Sequence, residues 1–116
     1  MPYLKVNSIT CEVAEESDKD EIYLIHKGKK VWPPNQKYLK IDVDEVLNIG
    51  LKVKIQKPGS LHLELWEYDL GSKDDHLGDF HLEVSKLEPG HHTELLIRNE
   101  KGAKQASYYM NWEVTD

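Results

Sequence analysis

The sequence contains one cysteine, Cys11, among its 116 residues, and it has no long apolar run. A lone thiol cannot form an internal disulfide, and the place of Cys11 in an apolar alternation predicts a buried thiol in a reducing compartment. No segment approaches the roughly 20 apolar residues that a membrane-spanning helix needs. The first residues, from Met1 to Lys5, also lack the apolar run of a signal peptide. We therefore expect a soluble, cytoplasmic protein without a transmembrane segment.

Positive charge is scarce as well. The chain has 15 Lys and Arg residues against 21 Asp and Glu residues, which gives a formal net charge of -6. The phosphates of a nucleic acid would be repelled by this excess of negative charge, and so would an anionic bilayer without a bridging cation. We expect no nucleic-acid partner.

Sequence motifs of common enzymes are missing too. The sequence has no Ser/His/Asp order, no glycine-rich phosphate loop and no His-Glu-x-x-His motif. Its 116 residues suit one domain, 1–116, but not a catalytic domain joined to a separate regulatory one. We expect a module that binds and does not catalyse.

What the sequence does contain is a repeated alternation of apolar and polar residues. Apolar residues occupy every second position from Leu47 to Ile55, and a period of two is typical of a strand with one buried face. A change of phase between Val6 and Ile9 predicts a bulge in the first strand. About eight such strands, separated by turn signals, predict an all-β fold, an eight-stranded antiparallel β-sandwich.

Two acidic segments follow the ends of predicted strands. Residues 15–21 include five acidic side chains, and Glu67, Asp69, Asp74 and Asp75 form the second group. In an antiparallel sandwich both segments can lie at the same edge. Ca²⁺ takes about six to eight oxygen ligands, and carboxylates are suited to provide them. The alternative is a pair of solvated loops whose charges are screened by salt within about 8 Å.

The second acidic segment resembles a motif of the C2 domain family. Glu67-Tyr68-Asp69 through Asp75-His76-Leu77-Gly78 is similar to the family's third-loop pattern of Asp-x-Asp, five residues, Asp, two residues and Gly. Glu15, five residues and then Glu21-Ile22-Tyr23-Leu24 resembles the first-loop pattern, with Glu at both ligand positions. The aromatic ending Tyr108 to Val114 is similar to the last strand of these domains.

This resemblance implies a C2-like sandwich with a type II arrangement of strands and weakly held Ca²⁺ between the two loops. A protein partner or an anionic lipid headgroup would complete the coordination shell of the metal. The ligand positions that the resemblance implies are Glu15, Asp20, Glu21, Glu67, Asp69 and Asp75.

A second hypothesis needs no metal. Trp66 falls on the polar face of its predicted strand, where a large aromatic side chain is unusual, and this position favours contact with a partner. The chain would then be an adaptor or structural sandwich that acts through protein contacts at Trp66 or at an exposed strand edge. On the same face, His62 and His81 could bind zinc, but cross-strand pairing with carboxylates explains them more simply.

Overall fold

A computed structural model of the chain describes residues 3–14, 19–55, 59–84, 90–98 and 106–115. Within these ranges the regular structure consists of ten β-strands. They contain no helix, and therefore none long and apolar enough to cross a membrane. The strands are β1 (Tyr3–Val13), β2 (Asp20–His26), β3 (Lys29–Trp32), β4 (Leu39–Ile41), β5 (Val46–Lys54), β6 (Gly59–Glu67), β7 (Asp75–Val84), β8 (Gly90–Leu95), β9 (Ile97–Arg98) and β10 (Ser107–Thr115).

The strands form two antiparallel sheets. One has the order β5-β1-β10-β8, and the other has the order β3-β2-β6-β7-β9 with β4 paired to β2. The predicted all-β antiparallel sandwich is confirmed, but the expected number of strands was too low. The turn-rich region between β2 and β5 adds two short strands, β3 and β4. In addition, Leu96 interrupts the last part of the predicted strand 93–99, so that β8 pairs in one sheet and β9 in the other.

The phase change in the first strand is a true irregularity of pairing. The register of β1 shifts between Val6 and Ser8 against both neighbours, β10 and β5. On the β5 side the shift is accommodated at Gly50, whose φ of 72° lies in the left-handed region that glycine adopts without strain. The bulge lets Val6 and Ile9 both reach the core although they are three positions apart.

The core lies between the two sheets and is built from the inward residues of each strand. Leu61, Leu63 and Leu65 of β6 are buried, whereas His62 between them is exposed. The expected burial of the even-numbered side of β10 is confirmed as well. Its buried members are Tyr108, Met110, Trp112 and Val114. Removal of this apolar surface from water is the main force that holds the sheets together.

Two leucine substitutions test this core. Leu63 is 0% exposed and Leu70 is 84% exposed. We expect Leu63→Ala to lower the free energy of unfolding by about 2 to 5 kcal/mol, because it leaves a cavity between the sheets. Leu70→Ala should change it by no more than about 0.5 kcal/mol. Urea unfolding measures both, and equal effects of the two variants would contradict the sandwich.

Candidate functional site

The predicted acidic residues gather at one end of the six-stranded sheet. The pairing of β2, β6 and β7 places Ile22 opposite Glu67, and Glu67 opposite Asp75. The backbone N–H of Tyr68 donates to the carbonyl oxygen of Glu21 at 2.8 Å. The start of β2 and the loop after β6 therefore lie side by side, as the sequence predicted for an antiparallel sandwich. Glu15 lies outside the described residues.

Asp20 connects this acidic end to the other sheet. Its side chain is 0% exposed, and its Oδ2 accepts a hydrogen bond from the hydroxyl of Tyr108 in β10. Burial raises the pKa of Tyr108 well above its usual range, and the bond to Asp20 and the charge of Asp20 raise it further. Tyr108 is thus a neutral donor that stabilises a buried carboxylate.

Tyrosines also contact two other carboxylates. Asp74 accepts a hydrogen bond from the hydroxyl of Tyr23 through Oδ2, and one from the backbone N–H of Asp69 at 3.0 Å through Oδ1. Burial and this bond to Asp74 raise the pKa of Tyr23 above its usual range. The hydroxyl of Tyr38 donates to Glu21, and this bond raises the pKa of Tyr38. The sequence analysis missed all of these donors, because tyrosine is a common strand residue and nothing local marks its partner.

These contacts bear on how well the acidic end fits Ca²⁺. Asp20, Glu21 and Asp74 each accept a hydrogen bond from a tyrosine. The carboxylates of Asp69 and Asp75, in contrast, have no hydrogen-bond or ion-pair partner among the described residues. Within those residues, no group of three or more His, Cys, Asp or Glu side chains could hold a metal. Two free carboxylates are fewer oxygens than Ca²⁺ requires, so the predicted ligand set depends on Glu15 or on rearrangement.

The turn between β4 and β5 brings further negative charge to this end, and the sequence analysis assigned it no role. The backbone N–H of Asp44 donates to the carbonyl oxygen of Cys11 at 2.7 Å. Burial raises the pKa of the Cys11 thiol to about 11, and the charges of Asp20, Asp42 and Asp44 add to the effect. The prediction of a buried thiol is confirmed, and the thiol is protonated at neutral pH.

A second candidate site lies on the outer face of the same sheet. The strand register places Trp66 between Tyr23 of β2 and His76 of β7. The indole ring stacks on the imidazole of His76, with centroids 4.7 Å apart and planes at 6°, and its Nε1 donates to Glu64 Oε1 at 2.9 Å. A cavity of about 280 Å³ opens beside it. We call the cavity lining the Trp66 face, and it consists of Tyr23, Ile25, Gly28, Glu64 and Trp66.

The histidines on this outer face are joined through one carboxylate. Asp79 Oδ1 lies 3.0 Å from His62 Nε2 and 3.1 Å from His76 Nε2. The ring of His62 also stacks on that of His81 at a centroid distance of 4.4 Å. The contacts of His62 are cross-strand contacts, whereas His76 and Asp79 both belong to β7. These contacts hold His76 in place against Trp66.

The exposed edge of β5 is less suited to binding a partner. Strand β5 is an edge of the four-stranded sheet, and its outward side chains include Lys52 and Lys54. The bulge at Gly50 interrupts its regular pairing. Charged side chains and bulges are features by which edge strands avoid adding another strand. The Trp66 face is therefore the more favourable contact surface.

A larger cavity of about 510 Å³ lies near the start of β10, between Val13, Leu95 and Tyr108. It is also lined by Leu96 and Ala106, and Ala106 directly follows residues 99–105, which lie outside the described ranges. No tryptophan is among the described residues that line it, whereas Trp66 forms part of the lining of the smaller cavity.

Comparison with known proteins supports the fold. No protein-family model matches the sequence, and no curated protein matches it either. A solved structure described as "Structure of a C2 domain" is similar to the chain, with a TM-score of 0.52 and 12% sequence identity. The similarity covers 98% of this chain and 95% of that one. The chain has a C2-like fold. The loop that contains Asp69 joins β6 to β7, and the segment before Asp20 joins β1 to β2. This is the order of connections that the resemblance to type II C2 domains implied.

The tyrosine at the end of this C2-like sandwich gives a test by pH. Because the pKa of Tyr108 is raised in the folded state, its stabilising effect is fully present below its unfolded pKa of about 10. Above about pH 10 the unfolded state releases the proton first, so stability falls by about 1.4 kcal/mol per pH unit for each such tyrosine. We expect Tyr108→Phe to cost about 1 to 3 kcal/mol near neutral pH and to reduce the alkaline loss.

Urea unfolding from neutral to alkaline pH measures both effects. Tyr109→Phe is the matched control, because Tyr109 is the next residue of β10 and is only half-buried. An unchanged alkaline slope in Tyr108→Phe would contradict a hydrogen bond between Tyr108 and Asp20.

Proposed function

We propose that this chain is a non-enzymatic, C2-like binding module that engages a protein partner through the Trp66 face and needs no calcium to do so. One observation carries the proposal. A half-buried indole on the outer sheet face is fixed by His76 and Glu64, and it forms one wall of a cavity.

The fixed position of Trp66 favours tight contact with a partner. Tryptophan and tyrosine are enriched among the residues that contribute most to binding at interfaces, especially where they line a pocket. A side chain that is already held by neighbours loses little conformational freedom on binding, and that loss is about 0.5 to 1.5 kcal/mol for a mobile side chain. The stack on His76 and the bond to Glu64 reduce this cost.

The contacts at the acidic end support a role that does not depend on metal. Tyrosine hydroxyls donate to Asp20, Glu21 and Asp74, so each of these carboxylates has a hydrogen-bond donor from the protein itself. Tyr23 is shared between the two regions, since its hydroxyl contacts Asp74 while its residue also lines the Trp66 face. The acidic loop thereby holds one wall of the cavity in place without an ion.

Selection from a library of displayed peptides tests the proposal. We expect peptides selected on the wild-type protein to bind Trp66→Ala at least about 30-fold more weakly, because truncation of a central tryptophan costs about 2 kcal/mol or more. The double variant Asp69→Ala/Asp75→Ala, with changes at the acidic end of the sheet, should bind them normally in EDTA. Fluorescence polarisation measures the affinities. Peptides that bind Trp66→Ala as well as they bind the wild type would refute the role of this face.

Calcium binding is the second candidate function, and a specific observation favours it. Asp69 and Asp75 retain the spacing of the C2 third loop, and neither carboxylate has a partner among the described residues. We propose that Ca²⁺, if bound, uses these two together with oxygens from the neighbouring acidic positions. A protein group or an anionic lipid headgroup would complete the shell. Besides Asp69 and Asp75, the ligand positions that the resemblance implies are Glu15, Asp20, Glu21 and Glu67.

A thermal melt separates the two candidates. Under the calcium hypothesis, metal-stripped protein should gain about 2.7 kcal/mol when Ca²⁺ is present at a hundredfold its Kd, which raises the Tm by several degrees. Mg²⁺ is the control cation, and Asp69→Ala/Asp75→Ala is the control variant. A Ca²⁺-selective rise that the double variant loses would establish the site. The same Tm in EDTA and in millimolar Ca²⁺ would eliminate this candidate and leave the Trp66 proposal standing.

A further inference from the structure

We infer that the Trp66 face recognises a basic peptide segment and that one cationic side chain of this segment, from arginine or lysine, enters the cavity beside Trp66 and Glu64. The inference rests on the proposed function and deepens it, because it names the chemistry of the partner.

The residues that line the cavity select a cation. Glu64 is the one charged residue among the five, and Trp66 and Tyr23 supply aromatic rings. The carboxylate attracts a cation through charge pairing, and an aromatic ring in the same cavity attracts it through the negative face of the ring. An anionic side chain would be repelled by Glu64. An apolar one would remove water from the Glu64 carboxylate without replacing its hydrogen bonds, which is unfavourable.

The orientation of the indole leaves one ring face for the partner. His76 of β7 covers one face in a nearly parallel stack, with 6° between the planes. The opposite neighbour of Trp66 in the register is Tyr23 of β2, and the cavity lies on this side, between Tyr23, Ile25 and Glu64. A cation in the cavity would therefore lie on the side of Trp66 away from His76, where a cation–π contact with the indole can form.

The cavity is small for a binding site. Sites for drug-sized molecules are about 300 to 1,000 Å³, and this cavity of about 280 Å³ falls just below that range. Gly28 lines the cavity at the turn between β2 and β3; it has no side chain, and its φ is 79°. The flanking Lys27 and Lys29 are exposed and do not line the cavity.

The net charge of the whole chain also favours a basic partner. The formal net charge is -6, and Asp79 adds a carboxylate to the outer face next to Glu64 in the strand pairing. Long-range electrostatic attraction to a negatively charged protein raises the rate at which a basic segment reaches the surface. Basic peptides should therefore bind more weakly as salt is added.

A pair of isosteric peptides tests the inference. The probes are acetyl-Gly-Ser-Arg-Ser-Gly-amide and the same peptide with citrulline, which has nearly the shape of arginine but no charge. Each is titrated into ¹⁵N-labelled protein, and the indole N–H resonance of Trp66 is followed after assignment with Trp66→Phe. We expect a saturable shift with the arginine peptide and binding at least about threefold weaker with citrulline, as a cation–π contact of ordinary strength requires.

Matched carboxylate variants locate the effect. Glu64→Gln should weaken the arginine peptide at least about threefold. Glu83→Gln should leave it unchanged, because Glu83 is an exposed residue of β7 that does not line the cavity. Citrulline binding equal to that of arginine, no effect of Glu64→Gln, or no saturable shift at all would each overturn the inference.

The peptide selection distinguishes failure of the cation inference from failure of the proposed function. Selected peptides that depend on Trp66 and are enriched in Arg and Lys support both statements. Peptides that depend on Trp66 but carry no basic residue overturn the cation inference and leave the binding face in place. Peptides that bind Trp66→Ala as well as they bind the wild type would refute both the cation inference and the proposed binding face.

Discussion

The structure depends on one constraint: two antiparallel sheets must bury their facing sides against each other. Alternate residues of every strand point inward, as the buried Leu61, Leu63 and Leu65 of β6 show. Because the residues between them must point outward, strand pairing also arranges the outer face into rows. Trp66 lies between Tyr23 and His76 for this reason, and the candidate binding surface is a consequence of how the core is packed.

The acidic end of the sandwich shows how the same architecture accommodates an excess of negative charge. A buried carboxylate such as Asp20 is costly unless a donor satisfies it, and the hydroxyl of Tyr108 arrives from the opposite sheet to do so. Tyr23 and Tyr38 serve Asp74 and Glu21 in the same way. Neutral donors satisfy the buried oxygens but cancel no charge. A C2-like fold can thus carry acidic loops whether or not a metal is its natural partner.

Local patterns predicted much of the fold and part of the site. The alternation in 47–55 and 61–66 indicated strands, and the phase change after Val6 indicated the bulge. The outward position of Trp66 followed from the parity of its strand. The expected number of strands was too low because the short strands β3 and β4 lie in a turn-rich region and the switch of sheets at Leu96 has no local signal. The spacing of Asp69 and Asp75 indicated a carboxylate pair, but the tyrosine donors to their neighbours could not be read from spacing.

The sequence by itself determined where most of the strands lie, which side of each of these strands is apolar, and where acidic residues follow strand ends. These are properties of short segments, since a period of two is set by the geometry of each chain element. Only the tertiary structure decided which groups meet. Tyr108 and Asp20 are separated by 88 positions, and the stack of Trp66 on His76 depends on the register of β6 with β7. Strand order and register arise from packing the whole chain, so no local pattern contains them.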